Sequence, residues 1–512
     1  MINTSSNNKR IAKNTAMLYI RMLLIMAVTL YTSRVVLKAL GVEDFGIYNV
    51  VAGVVSLLGF LNTSLSNASS RFFNFSIAEG NIGKRRKTFC SILAVQCIFV
   101  IFILVFAETI GLWLVQNKLV IPENRYDVAL WAYQGSIVIT VISFLSTPYN
   151  SLIIAHERMS VFAIISIIES ILKLLVAYVI SILDFDKLLS YAILLVLIQL
   201  FVWILYHGYS KYNFIEMRGA FVLDRESIKK IVGFSFWTMG GNIAVISCTQ
   251  GLNVLLNMFF GPVVNAARAV AIQVQNAINH FFTSFQTAIN PQIIQSYASG
   301  NIEIMHTLII NSAKYSFYLS LLIVVPVLFQ TKEILQIWLG VVPDYTVYFV
   351  RIMIFVGLNY AIGNSIITAV RATGNIRKFE LIVSVILLSI LPICYLLLKV
   401  LHLSAEDIFL VYCLIECIAQ FVRVYVVFPQ IKLPVRCYYT KVLFPILKVC
   451  IFVWIIPYIL LCNLSGTLIF NLIIMVGGCT ISSLICIYLL GLNRSERCLL
   501  HNRVKQYILK VK

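Results

Sequence analysis

The sequence predicts an all-α polytopic membrane protein with fourteen transmembrane helices. Two six-helix lobes are expected, related by a pseudo-two-fold axis along the membrane normal, with two extra C-terminal helices. Three observations carry this. Of 512 residues 60% are hydrophobic and 12% charged, with mean hydropathy +0.92, whereas a soluble domain carries roughly 25% charged residues. Apolar runs of about twenty residues, long enough to span a bilayer core, recur along the chain. Two long stretches also match each other at one constant offset.

The spans fall at about 15–38, 46–76, 88–115, 127–154, 161–183, 188–210, 228–257, 263–295, 307–330, 346–370, 380–401, 408–428, 445–462 and 467–490. Spans 1, 2, 7 and 8 are the least apolar. The predicted organisation is a cytoplasmic N-terminus (1–14), an N-lobe (15–210), a cytoplasmic linker (211–227) and a C-lobe (228–428). Helices 13 and 14 (429–490) and a basic cytoplasmic tail (491–512) complete it.

With the N-terminus inside, the inner segments hold 25 Lys and Arg, including Lys84-Arg85-Arg86-Lys87. The outer loops hold five: Lys38, Lys118, Arg125, Lys187 and Lys332. This asymmetry places both termini in the cytoplasm. It also makes most of the +19 net charge topological, so no nucleic-acid partner is implied. Most of the twelve cysteines sit singly in apolar runs; Cys413 and Cys417, one turn apart, have no further ligand nearby and read as packing residues. No cleavable signal peptide is expected, because the first 13 residues are polar and basic and the apolar run after them is too long.

At an offset of 220 residues Gly41 matches Gly261, Thr63-Ser64 matches Thr283-Ser284, and Ala68 matches Ala288. Ala78-Glu79-Gly80-Asn81-Ile82 likewise matches Ala298-Ser299-Gly300-Asn301-Ile302. Six spans per repeat is an even number, so both repeats enter the membrane in the same direction, and a substrate site is expected at their interface.

Polar stripes mark the helices that would line that interface. Span 2 carries Asn49, Ser56, Thr63, Asn67, Ser70 and Arg71; span 7 carries Ser235, Thr238, Asn242, Thr249 and Asn253. Span 8 carries Asn265, Arg268, Gln275, Asn279, Gln286 and Asn290, and span 1 carries Asn14, Arg21 and Thr32, with Arg34 off that face. Single Ser and Thr residues read as helix–helix glue. Long amide-rich stripes that also carry Arg read as a hydrated lumen.

Arg21, Arg71, Lys173, Arg268, Lys314 and Arg351 make that lumen cationic, and Asn242, Gln275 and Asn279 add amides to the candidate binding set. Glu169 at i−4 pairs with Lys173, and Glu416 with Arg423, while Lys399 and Lys448 snorkel to headgroups. A guanidinium fork suits phosphate oxygens. Spans 1, 2, 7 and 8 contain no acid. No catalytic or nucleotide-binding motif occurs, so transport rather than catalysis is expected, without a cofactor or metal. His156-Glu157-Arg158 reads as a solvated cytoplasmic turn.

Leu40-Gly41-Val42-Glu43-Asp44-Phe45-Gly46-Ile47-Tyr48, with the Ala-Glu-Gly-Asn turn and the basic run after it, resembles the first-loop signature of O-antigen-type polysaccharide flippases. The two-lobe topology is similar to the multidrug/oligosaccharidyl-lipid/polysaccharide flippase superfamily. The resemblance implies a bacterial inner-membrane protein. It would pass an undecaprenyl-diphosphate-linked oligosaccharide of O-antigen, capsule or other surface polysaccharide to the outer leaflet by alternating access, beside polysaccharide assembly proteins. It also implies that Arg21, Arg71 and Arg268 engage the diphosphate, with Lys173, Lys314 and Arg351 as further candidates. Fourteen spans resemble the peptidoglycan-lipid flippases, whose last pair forms part of a lipid-tail groove, whereas many O-antigen flippases have twelve; the subgroup stays open. The alternative is a multidrug/toxin cation antiporter, which needs acids in the lumen.

Overall fold

The computed structural model describes residues 4–56, 58–117, 121–182, 185–260, 262–339, 342, 344–463, 468–498 and 501. Regular structure among them is helical throughout. The first part of the chain forms α1 (Thr4–Ser56), α2 (Gly59–Ala78), α3 (Ile82–Phe106), α4 (Leu112–Asn117), α5 (Tyr126–Ala155), α6 (Met159–Ile182) and α7 (Lys187–Asn213). Then come α8 (Arg225–Phe260), α9 (Pro262–Ala298), α10 (Ile302–Phe329), α11 (Thr331–Leu339) and α12 (Thr346–Thr373). The last part holds α13 (Arg377–Leu388), α14 (Ile390–Leu401), α15 (Ala405–Ile431), α16 (Val435–Tyr438), α17 (Phe444–Phe452), α18 (Ile455–Asn463) and α19 (Leu468–Cys486).

Eleven helical stretches of the described residues are long and apolar enough to cross a bilayer, which makes the chain a multi-pass membrane protein. Spans 1, 2 and 8 of the sequence reading fall outside those eleven. They are the Arg- and amide-bearing spans, whose polar stripes lower their mean hydropathy. The fourteen-span count is compatible with this arrangement: α1 contains a shorter apolar stretch, Asn14–Thr29, and α9 is a continuous 37-residue helix.

Glycine sets the breaks. Gly41 interrupts α1 with φ 79° and ψ 171°, a conformation that only Gly adopts cheaply. Gly80 and Gly300, matched by the duplication, have nearly equal φ of 75° and 77°. At the second of these turns the Gly300 N–H donates to Tyr297 O (3.0 Å) and the Asn301 N–H to Ser296 O (2.9 Å), a Schellman closure of α9. At the first, the Asn81 side chain accepts from the Lys84 N–H (3.1 Å) and caps α3.

Two compact units result: Met1–Ile243 with Thr287–Asn301, and Ala244–Gln286 with Ile302–Lys512. The division passes through the interiors of α8 and α9.

In the first unit α1 packs on α6 and α5 on α7, around a core that includes Val51, Ala129, Tyr133 and Leu188. At the π-helical turn Ala107–Gly111 the Ala107 carbonyl accepts from the Leu112 N–H and also from the Tyr133 hydroxyl at 2.7 Å. Arg125 clamps Asp44 (Nε to Oδ1 2.8 Å) and Asp186 (Nη1 to Oδ2 2.5 Å) together. Asp44 belongs to the first-loop signature, so one physical role of that motif is to tie the bend after Gly41 to two other loops.

In the second unit α12 packs between α10 and α15, and α10 also packs against α19. Phe349 and Phe409 stack across the α12–α15 contact at 3.8 Å between ring centroids. Large apolar side chains such as Ile98, Ile101, Phe102 and Val105 of α3 stay exposed along one stripe, as a lipid-facing surface requires.

Candidate functional site

In the first unit the Arg21 guanidinium lies 4.3 Å above the Phe162 ring, and its Nε is buried without a hydrogen-bond partner. Glu169 and Tyr206 are within Coulombic reach of it. Glu169 also holds Lys173 (Oε1 to Nζ, 2.6 Å), the pairing expected from the sequence. Arg21 and Lys173 therefore share one carboxylate. Arg71 is set among phenyl rings: Phe72 at 5.0 Å, Phe75 at 5.3 Å and Phe234 at 5.3 Å from its guanidinium carbon. Cation–π attraction orients the charge there. Asn242 donates to Ser64 Oγ at 2.8 Å.

In the second unit Arg268, Gln275 and Asn279 recur at steps of seven and four residues on one face of α9. Arg268 is 2% exposed and donates to Asn253 Oδ1 and to the Thr249 carbonyl, the latter at 3.0 Å. Both acceptors are neutral. Gln275 and Asn279 face Gly357 of α12, where a Cβ would lie 3.3 Å from Asn279 Oδ1. That oxygen is buried and accepts no hydrogen bond. The α9 face thus combines a positive charge with unspent amide capacity.

The two remaining predicted cations are placed differently. Lys314 is 1% exposed, with its Nζ 2.5 Å from Glu496 Oε1, and Tyr315 donates to the same oxygen at 2.9 Å. Its charge is thereby spent inside the second unit. Arg351 is exposed near the start of α12, with Nε 3.4 Å from Thr331 Oγ1. The expected Glu416–Arg423 pair is present at 3.6 Å and buried, with the Tyr360 hydroxyl 3.2 Å from Glu416. The side chains of Arg34, Asn49, Ser56 and Asn265, and Gly261 as a whole, lie outside the described residues.

Hydroxyl and amide members of the stripes behave differently. Thr63, Ser64, Thr238 and Thr249 each donate to a carbonyl four residues back in their own helix, which satisfies them locally. Amides reach across: Gln286 donates to Ser316 Oγ (2.9 Å) and to Ala361 O (3.0 Å).

The turn after α5 departs from the solvated reading. Arg158 is exposed, but Glu157 is 8% exposed and accepts from Gln292 Nε2 at 3.2 Å. His156 stacks on Phe214 at 4.4 Å and meets Glu216 Oε1 at 3.0 Å. Burial pushes the Glu216 carboxyl up, but the His156 contact, a backbone N–H and the Arg85 charge outweigh it and hold it below the usual carboxylate range. His156, Glu157 and Glu216, with Asn14, Arg85, Arg158 and Tyr209, line a cavity of about 760 Å³. Sequence spacing carried no signal for this network, because its members are 60 to 143 residues apart.

Comparison with known proteins agrees with this architecture. Residues 11–297 match the family described as polysaccharide biosynthesis protein. A MOP-superfamily transporter from Pyrococcus furiosus, described as having a binding pocket of reversed polarity, superimposes with TM-score 0.66 at 15% identity, over 82% of this chain and 96% of that one. An outward-facing multidrug-resistance MATE transporter gives TM-score 0.66 at 14% identity, over 84% and 96%. The MATE transporter ClbM in complex with Rb+ gives 0.63 at 15%, over 81% and 94%. Among curated protein sequences none matches significantly. The family match spans more than half of the chain, and the chain accordingly belongs to the polysaccharide biosynthesis protein family, with the fold of the MOP-superfamily transporters.

Proposed function

We propose that the protein is a flippase that moves an undecaprenyl-diphosphate-linked oligosaccharide from the inner to the outer leaflet of a bacterial plasma membrane, with both termini cytoplasmic. The observation that carries this reading is the buried Arg268, whose direct hydrogen bonds go to neutral oxygens. A cation kept in that setting at the cost of desolvation is suited to an anionic ligand. Stripping water from a diphosphate in lipid costs tens of kcal/mol by idealised Born reasoning. Guanidinium and amide groups replace part of that water while the polyprenyl tail stays in hydrocarbon. Arg71 lies seven residues before the end of α2, ~10 Å along the helix, and Arg268 about as far from the start of α9. In the proposed orientation the first is near the cytoplasmic end of its helix and the second near the outer end of its own. Arg71 and Arg21 would then receive the headgroup, and Arg268 with Gln275 and Asn279 would hold it before release. Lys173, shared with Arg21 through Glu169, and the exposed Arg351 are secondary in this scheme, and Lys314 is left out because Glu496 holds it. An inside-negative potential assists outward movement by about 2.3 kcal/mol per negative charge per 100 mV.

A cation-antiport reading has the MATE-like fold in its favour and would draw on Glu416. That carboxylate is already engaged by Arg423 and Tyr360, which favours the anionic substrate. The test is flipping of a fluorescent diphosphate-linked oligosaccharide lipid in proteoliposomes. Arg71→Glu and Arg268→Glu are expected to abolish it, and Arg268→Lys to slow it about tenfold or more through loss of the fork. Full transport by both charge reversals, or uptake of cationic dyes in place of lipid flipping, would overturn the proposal.

A further inference from the structure

Glu157 sits where a glycine would be expected. The turn that closes α5 is a Schellman motif: the Glu157 N–H donates to Ile154 O (2.9 Å) and the Arg158 N–H to Ile153 O (3.0 Å). Its left-handed position, φ 55°, is occupied by Glu157 itself, whereas the turns at Gly80 and Gly300 use glycine. A long acidic side chain in left-handed backbone is strained. Tyr345, His402 and Lys432 also take positive φ but are exposed, whereas Glu157 is 8% exposed, and burial of the strained acid points to a use for its side chain.

That side chain points inward to a network of the first unit. Glu157 Oε2 accepts from Gln292 Nε2 (3.2 Å), and the Glu157 carbonyl accepts from Asn14 Nδ2 (3.3 Å). One turn farther along α9, Gln295 Nε2 donates to Asn74 Oδ1 and to Ala155 O, both at 3.0 Å. Leu18, Met159 and Ala288 pack beside them. Thus residues 287–301 at the end of α9 belong to the first unit, while residues 262–286 of the same helix belong to the second. The hydrogen bonds named here join a carboxylate, carbonyls and neutral amides, groups that water can replace at modest cost. The cavity of about 760 Å³ reaches Glu157 from the side of the basic loops.

From this we infer that Glu157 is a gating residue. Ionised, it latches the end of α9 to the first unit through Gln292; a proton taken from water in the cavity onto its carboxylate neutralises it and releases the latch. Among the groups that face it are Asn14 from α1 and Gln292 from α9, with Arg85, His156, Arg158 and Glu216 around the cavity. The inference rests on the transport reading for its purpose. Its test does not, because the readout needs no substrate.

The probe is a disulfide between Asn74→Cys and Gln295→Cys, which spares the Glu157–Gln292 bond, formed in the full-length reconstituted protein and quantified as linked peptides by mass spectrometry. Because only the thiolate forms the bond, every yield is read relative to that of a cysteine pair one turn apart within a single helix. Acidification from about pH 8 to about pH 4, below the ordinary glutamate value of ~4.3, is expected to lower this relative yield with Glu157 present. Glu157→Gln should lower it about tenfold at neutral pH, the shift expected from losing one charge-assisted hydrogen bond, and abolish the pH response. Glu157→Gly is the control for folding. It relieves the backbone and should melt no lower than the parent, yet it should show the same low, pH-insensitive yield. Glu157→Asp should restore the pH response. Wild-type yields and pH profiles in both Glu157→Gln and Glu157→Gly would overturn the latch, whatever the protein transports.

Discussion

Replacing Arg125 by Met should loosen the first unit by about 2–4 kcal/mol, with an acid dependence of defined sign. Arg125 makes two short hydrogen bonds to Asp44 (2.8 and 2.5 Å) and one to Asp186 (2.5 Å), plus a longer one at 3.4 Å. The side chains are 20%, 17% and 29% exposed. Each hydrogen bond to a charged group contributes ~1.5–3 kcal/mol when well shielded, while exposed pairs are worth about 1 kcal/mol or less. Partial exposure places the clamp between these limits. Methionine keeps most of the apolar stem but leaves two carboxylates facing each other.

Burial raises the Asp186 carboxyl, but the Arg125 hydrogen bond, the Leu189 N–H and the Arg125 charge outweigh it, so the folded value lies below the ordinary 3.8. A depressed folded value stabilises the protein above the ordinary value, and that contribution is lost as pH falls through the folded one. The wild type should therefore lose stability below about pH 4 on this account, and Arg125→Met should already lack it. Tryptophan-fluorescence melts in detergent should show a Tm decrease on the order of 5 °C at neutral pH that narrows in acid. A neutral-pH Tm within about 1 °C of wild type would refute the reasoning, because clamp strength and Tm are linked through the same contacts.

Two further predictions follow from single contacts. Gly80→Ala and Gly300→Ala should each cost about 1–2 kcal/mol in thermal melts. A Cβ meets nothing within 4 Å at either site, so the loss is backbone strain alone, and Asn should be tolerated better than Ala. Lys314→Met should release the segment after Gly491, read as faster proteolysis there, because it strands Glu496 against Tyr315; removing one partner of a buried pair costs about 3–5 kcal/mol. The double variant Lys314→Met/Glu496→Gln should recover much of the protection.

Local features were legible from residue order. The i, i+4 pair Glu169–Lys173 and the buried Glu416–Arg423 pair lie on single helices, where spacing dictates proximity. The glycine turns at Gly80 and Gly300 could be matched by their shared offset, since positive φ restricts the choice of residue. Lys314 was not legible: its acid lies 182 residues away, beyond any helical period. The inward turn of Glu157 was equally hidden, because a short polar turn between two spans looks the same whether it is solvated or enclosed.

Membrane residence, helix content and the duplication are written in the chain itself, because hydropathy, helical period and a constant offset are properties of residue order. What surrounds each cation was decided only by tertiary structure. Arg268 met neutral oxygens, Arg71 met phenyl rings and Lys314 met a distant carboxylate. A buried charge is settled by whatever groups folding brings around it, and those groups come from helices far apart in the chain.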